Sequence, residues 1–320
     1  MKICTITCSN TDNHGARLQT YALAKYLQEQ GNNVSVIDYR PPYMDPSFRV
    51  FYWPGLSIKE WAIFFLRFPQ RIRSKKRHKN FVAFSNKHIS LTERVYHSIQ
   101  DLREEPPCAD VYIAGSDQIW NTFFPNGTDP AFYLDFGPKT IRRESYAASF
   151  ATTELQSGTE DFVRTNLSRF DKVSVREDSG LTILKQLGIT DGVREEDPVF
   201  LLSAEKWMEL YDGTGDGERY LLVYDFFSDS ALRQKAKRVA KSRNLQIFSI
   251  SPFKQHYADK NFTIAGPESF LSLIKNADCV VTNSFHAIAF CAIFQREYVY
   301  VPRPDGLNER IEDLINRLPQ

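Results

Sequence analysis

Short β-branched runs alternate with segments of helical period along almost the whole chain, and few folds accept that alternation. It begins at once. KICTITC is a strand-like run and Ser9 to His14 is polar. From Ala16 to Gln30 the apolar residues Leu18, Tyr21, Ala22, Leu23 and Leu27 then recur at helical spacing. Gly31, Asn32 and Asn33 close that helix, and VSVIDY at 34–39 is the next strand. Strand, loop, helix and strand in this order predict a parallel pair with a right-handed crossover. Further strands are expected over 110–114, 144–150 and 172–175, helices over 154–169 and 178–187, with VREEDPVFLL at 193–202 ending this half. A second series then places strands over 220–225, 245–250, 279–282 and 298–301, and helices over 228–243, 267–275, 284–294 and 308–317. Between the two series lies DGTGDGE at 212–218, acidic, Gly-rich and without an apolar residue, which reads as a linker.

The expected architecture is therefore α/β: two Rossmann-like domains, 1–211 and 219–320, with parallel sheets facing a central cleft. Residues 41–108 interrupt the rhythm. Pro41, Pro42, Pro46 and Pro54 open a stretch rich in aromatics, RVFYWPG and KEWAIFFLRF, followed by a basic run from Arg67 to Lys79. This reads as an insertion of one or two helices and a loop. Residues 48–79 could rest peripherally on an anionic membrane surface; the plainer reading is a domain-capping helix pair with a solvated basic face.

Composition removes several function classes. No stretch is apolar for the roughly 18 residues a membrane span needs. MKICTITCSN has neither the apolar h-region nor the small-residue cleavage site of a secretory signal. A formal charge of +1 argues against a general nucleic-acid binder. The five cysteines form no pair of C-x-x-C units and suit small buried thiols in a reducing compartment. The expectation is a cytoplasmic protein without a metal site.

In open α/β sheets ligands bind beyond the carboxyl ends of the strands. Four segments put polar residues there. Asn10 to Gln19, containing Asn13, Gly15 and Gln19, enters the first helix, whose free N–H groups could hold an anion. It reads equally as a polar loop with a helix cap, and it lacks the G-x-G-x-x-G of a dinucleotide site. Gly115 to Asn121, with Ser116, Asp117 and Trp120, could serve a sugar through hydrogen bonds and stacking, or be a capped turn. Arg176 ends a strand and suits bidentate recognition of phosphate or carboxylate, or it pairs with Glu177 or Asp197 as a structural ion pair. Ser284 and His286 open the apolar helix after CVVT, where a histidine is well placed for proton transfer. Arg310 in N-E-R could bring a second arginine to the same cleft, or lie on an ordinary surface helix.

Together these segments resemble the polysaccharide pyruvyl transferase family. The matching stretches are N-x-x-N-H-G-A-R-L-Q-x-Y-A-L at 10–23, G-S-D-Q-I-W-N at 115–121 and S-V-R-E at 174–177. They continue with D-P-V-F-L-L at 197–202, T-N-S-F-H at 282–286 and N-E-R-I-E-D-L at 308–314, in the family's order. The resemblance implies a GT-B-like fold and transfer of pyruvate as a ketal from phosphoenolpyruvate to a sugar of a surface glycan or its lipid-linked precursor. It implies Arg176 and Arg310 as the charge facing the donor, His286 as a proton-transfer group, and no cofactor beyond the donor substrate. Two departures stand out. Ala287 replaces the glycine that usually follows the histidine, and the chain stops at Gln320, where members usually continue. A nucleotide-sugar glycosyltransferase and a non-catalytic glycan-binding protein are the competing functions.

Overall fold

A computed structural model describes residues 1–44, 57–225, 229–303 and 308–318. In chain order the elements are β1 (Lys2–Ile6), α1 (His14–Glu29), β2 (Asn33–Tyr39), α2 (Ile58–His88), β3 (Leu91–Tyr96) and α3 (Ile99–Glu104). Next come β4 (Val111–Ala114), β5 (Arg142–Ser145), α4 (Glu160–Leu167), β6 (Ser174–Val175), α5 (Asp178–Gln186), β7 (Val193–Arg194) and α6 (Ala204–Met208). The second series holds β8 (Tyr220–Tyr224), α7 (Ser230–Arg243), β9 (Gln246–Ile250), β10 (Lys260–Asn261), α8 (Pro267–Asn276), β11 (Cys279–Thr282), α9 (Phe285–Ile293), β12 (Tyr298–Tyr300) and α10 (Glu309–Arg317).

Contacts divide the chain into two units, Met1–Asp45 with Ser85–Leu202, and Pro46–Phe84 with Ser203–Gln320. Each contains a five-stranded, all-parallel sheet of the same order, β3-β2-β1-β4-β5 in the first and β10-β9-β8-β11-β12 in the second. This is the Rossmann order, in which the chain leaves the two central strands toward opposite edges. The residues explain it. Central β8, YLLVY, is buried at all five positions, as a parallel strand covered on both faces must be. Its Leu221 and Val223 form a core in the second unit with Leu232, Ala236 and Val281. In the first, Ile6, Ala114, Trp120, Tyr133 and Phe150 belong to one apolar cluster.

Three local differences from the sequence reading have physical causes. Residues 41–108 are more than an insertion: LTERVY at 91–96 is β3, the edge of the first sheet, pairing through Asp38↔Val95 and Tyr39↔Tyr96. Its apolar alternation is thin because an edge strand keeps charged residues toward solvent. The helical stretch before it counts, up to Phe84, with the second unit, where Asn80 Nδ2 donates to the Ile264 carbonyl at 2.7 Å. The strand expected over 144–150 stops at Ser145, because Ala147 and Ala151 adopt left-handed φ of 47° and 56°. The helix expected from 154 starts only at Glu160, after Gly158 turns the chain at φ 86°. Half of the aromatics of the expected membrane contact, Phe48, Phe51, Tyr52 and Trp53, lie outside the described residues. No described helix is long and apolar enough to cross a membrane.

Candidate active site

In the first unit β1 and β4 are neighbours, with Ile6 opposite Ala114, and their carboxyl ends form the point where the chain direction diverges. Two of the sequence-derived segments sit there. Asn13 caps α1, accepting from the Ala16 amide at 3.3 Å while its side chain stays exposed. Gly15 is buried in the first turn of that helix, which carries no acidic residue there. Gln19 is buried completely and donates to Thr7 Oγ1 at 3.2 Å, to the Ala16 carbonyl at 3.0 Å and to Thr20 Oγ1 at 3.1 Å. Thr7 Oγ1 donates in turn to the Ser116 carbonyl at 2.6 Å. Gln19 is thus a brace between the loops after β1 and β4. Ser116 is equally buried, whereas Asp117 is half-buried and held at φ 77°. Asp117, Ala147 and Ala151 are three non-glycine residues in the left-handed region, beyond the ends of β4 and β5. Each such conformation costs of order 1–3 kcal/mol, and strain of this kind collects at functional sites.

Arg176 follows β6, and its backbone amide donates to the Ala148 carbonyl at 3.1 Å. Its guanidinium is buried and donates through Nε to Glu177 at 2.9 Å and through an Nη to Asp197 at 2.7 Å. Glu177 also accepts from Ser149 Oγ at 2.7 Å, and Asp197 from the Val199 amide at 3.0 Å. One cation faces two carboxylates, which hold its pKa well above the usual arginine value despite the opposing effect of burial. Of the two readings the sequence left open for Arg176, the ion pair is the one present here: Glu177 and Asp197 hold its guanidinium and tie the turn after β6 to the segment that packs on α1.

In the second unit β8 and β11 are the diverging pair, with Tyr224 opposite Thr282. Thr282 Oγ1 donates to the Tyr224 carbonyl at 3.2 Å and accepts from the Ser284 amide at 3.1 Å. Ser284 then caps α9, accepting from the Ala287 amide at 3.5 Å. His286 lies in the first turn of that helix, buried and edge-on to Phe285 with ring centres 5.2 Å apart. Again no acidic residue occupies the first turn. Ala287, at the departure from the family glycine, is fully buried with its amide capped. Arg310 is half-buried on α10, which packs against α9.

A family model described as polysaccharide pyruvyl transferase matches residues 13–303, a span that contains every motif above except the start of the first and N-E-R. The chain belongs to the polysaccharide pyruvyl transferase family. No curated protein matches it. Among solved structures it is similar to the UDP-GlcNAc 2-epimerase of Neisseria meningitidis bound to UDP-GlcNAc, at 11% identity and a TM-score of 0.50, covering 99% of this chain and 91% of that one. It is also similar to the UDP-N-acetylglucosamine 2-epimerase of Rickettsia bellii (11%, TM-score 0.49, 93% and 78%) and to an E. coli heptosyltransferase (12%, TM-score 0.41, 99% and 98%). Identities this low speak only to the fold, which is α/β and GT-B-like, built from two Rossmann-like units.

Within this pyruvyl transferase family member the motifs divide into residues that face a possible ligand and residues that hold them. Trp120, expected to stack on a sugar, belongs to the second group. It is fully buried, stacks on Tyr133 with centres 5.7 Å apart, meets Phe150 and Phe170, and donates Nε1–H to the Phe132 carbonyl at 3.1 Å. No face is left for a sugar. Trp120→Ala is therefore expected to cost about 3–5 kcal/mol of stability, read by urea denaturation. Trp120→Phe should fold with an unchanged KM for the acceptor; a raised KM without loss of stability would restore the stacking role.

Residues absent from the sequence-derived set also shape the site. Arg17 is buried, donates Nε–H to the Thr11 carbonyl at 3.0 Å and an Nη–H to Ser85 Oγ at 2.5 Å, and so shapes the loop before α1. Burial lowers its pKa to about 10, against the pull of Asp12. Ser149 and Glu177 join the loop after β5 to the turn after β6. The sequence signal for Arg17 is that it stands inside a family stretch, whereas Glu177 and Asp197 are already legible as partners for Arg176.

Proposed function

We propose that this protein transfers pyruvate as a ketal from phosphoenolpyruvate to a sugar of a surface polysaccharide or its lipid-linked precursor. The observation that carries the reading is the family match over residues 13–303, with three of the motifs following the central strands β1, β4 and β11. The chemistry agrees with what those ends offer. Phosphoenolpyruvate is small and strongly anionic, and two helix N-termini without acidic first turns, α1 and α9, favour negative charge. Arg310 is the arginine placed toward the donor in this reading. Asn13 and Asp117 keep polar side chains in reach of solvent in the first unit, and Ser284 does so in the second.

The transfer balances without a redox cofactor. The methylene carbon of the donor accepts a proton, and one sugar hydroxyl bonds to C2. The phosphate then leaves with the C2–O bond pair, a second hydroxyl closes the ketal, and the hydroxyl protons are carried away. His286 moves protons in these steps; general acid–base groups of this kind contribute about 10²–10⁴-fold. Peripheral membrane contact through 48–79 belongs to the same reading, supported by exposed Leu66, Arg67, Lys75 and Lys76 on α2, since lipid-linked acceptors reside at that surface. The deciding assay follows phosphate release from phosphoenolpyruvate with acceptor glycans carrying galactose or N-acetylmannosamine. Release that requires the acceptor is the expected result. Glycan binding without release would favour a binding protein, and consumption of a nucleotide sugar a glycosyltransferase.

A further inference from the structure

The opposite edge of the first sheet carries a groove that the reading above does not use. It lies where the chain enters the amino ends of β4 and β5, and has a volume of about 790 Å³. Four cationic side chains line it, Arg103, Lys139, Arg143 and Arg169, against one carboxylate, Asp135. Arg103 and Arg169 both pair with that carboxylate, so the three together keep a positive charge. Lys139 is exposed and makes no ion pair among the described residues. Arg143 is buried, and its donors go to main-chain oxygens: Leu134 at 3.0 Å, Ile141 at 2.8 Å, Phe136 at 2.7 Å and Pro138 at 3.1 Å. Carbonyls satisfy its N–H groups without cancelling its charge. Asp171, outside the lining, accepts from the Arg143 amide at 2.8 Å and moderates the field only in part.

The wall is built rather than accidental. Arg143 binds the 134–141 loop into one shape, and within it Gly137 sits at φ 72°, where an added Cβ would come 2.8 Å from the Tyr112 ring. The volume is in the range of small-molecule sites, and the excess of cationic over anionic side chains lining it favours a phosphate group. From this cavity, its excess of cations and its rigid loop, we infer that the groove is a second binding site, for a phosphate or diphosphate group. The group could belong to a soluble phosphorylated compound or to the headgroup of a lipid, since the recognising chemistry is the same.

The test is calorimetric titration of the full chain with inorganic pyrophosphate, beside co-sedimentation with phosphatidylcholine vesicles with and without phosphatidic acid. The variants are Lys139→Glu, whose exposed side chain leaves the fold intact, and Arg310→Ala as control for anions held at the strand carboxyl ends. Pyrophosphate binding weakened at least fivefold by Lys139→Glu and unchanged by Arg310→Ala is the expected result and assigns a soluble source. Absence of pyrophosphate binding with Lys139-dependent capture by phosphatidic acid vesicles assigns a headgroup. Equal affinity in wild type and Lys139→Glu, or no binding in either arm, overturns the inference. Neither result depends on phosphate release from phosphoenolpyruvate, so the two readings fail separately.

Discussion

His286→Ala is expected to lower turnover with phosphoenolpyruvate by about 10²–10⁴-fold, while donor binding changes only a few-fold. The reason is local. His286 stands in the first turn of α9, beyond the carboxyl end of central strand β11, where ligands of such sheets bind. Its neighbours on the helix are apolar and buried, and Ser284 has already capped the helix end through the Ala287 amide. The imidazole is therefore not required as the cap, and removing it leaves α9 in place. Single-turnover kinetics would separate the chemical step from binding, and a thermal melt would check that the fold is intact. Unchanged turnover in a folded His286→Ala protein removes the histidine from the chemistry. His286→Gln, which keeps hydrogen bonding but cannot carry a proton at neutral pH, should be as impaired as the alanine variant.

The second large effect is on stability. Asp197→Ala leaves the buried Arg176 guanidinium without the carboxylate 2.7 Å away, and also strips the cap from the Val199 amide. Breaking a buried pair on one side costs about 3–5 kcal/mol, which for a unit of this size corresponds to a fall in melting temperature of roughly 6–20 °C. Arg176→Ala should also destabilise, because Glu177 and Asp197 then face each other's charge in the interior. The donor KM of whatever Arg176→Ala protein stays folded should be near that of the wild type. A large rise in donor KM with no loss of stability would return Arg176 to the role of an anion clamp. A cycle combining Asp197→Ala with Arg176→Ala would show coupling, since the second change relieves the charge the first exposed.

Much of the architecture was legible because parallel strands buried on both faces must be apolar runs, and helices packed on them must be amphipathic. Runs such as VYIA at 111–114 and YLLVY at 220–224 leave little choice. Where a strand lies at an edge, that pressure fades. LTERVY and the two residues of β10 are held by backbone pairing with a neighbour, which side chains barely record. Likewise the early end of β5 follows from left-handed Ala147 and Ala151, a conformation that alanine gives no hint of adopting.

The sequence by itself determined that two parallel α/β units form, and that polar motifs of one family stand at their strand ends. Only the tertiary structure decided which of those residues remain open to chemistry. Arg176 and Asp197 are 21 residues apart, and Trp120 meets Phe150 and Phe170 across two loops, so their partners are set by how strands stack. A buried arginine with two carboxylates and an exposed arginine facing an anion look the same in one dimension. Burial and the distance to the nearest opposite charge separate them, and both are properties of the packed chain.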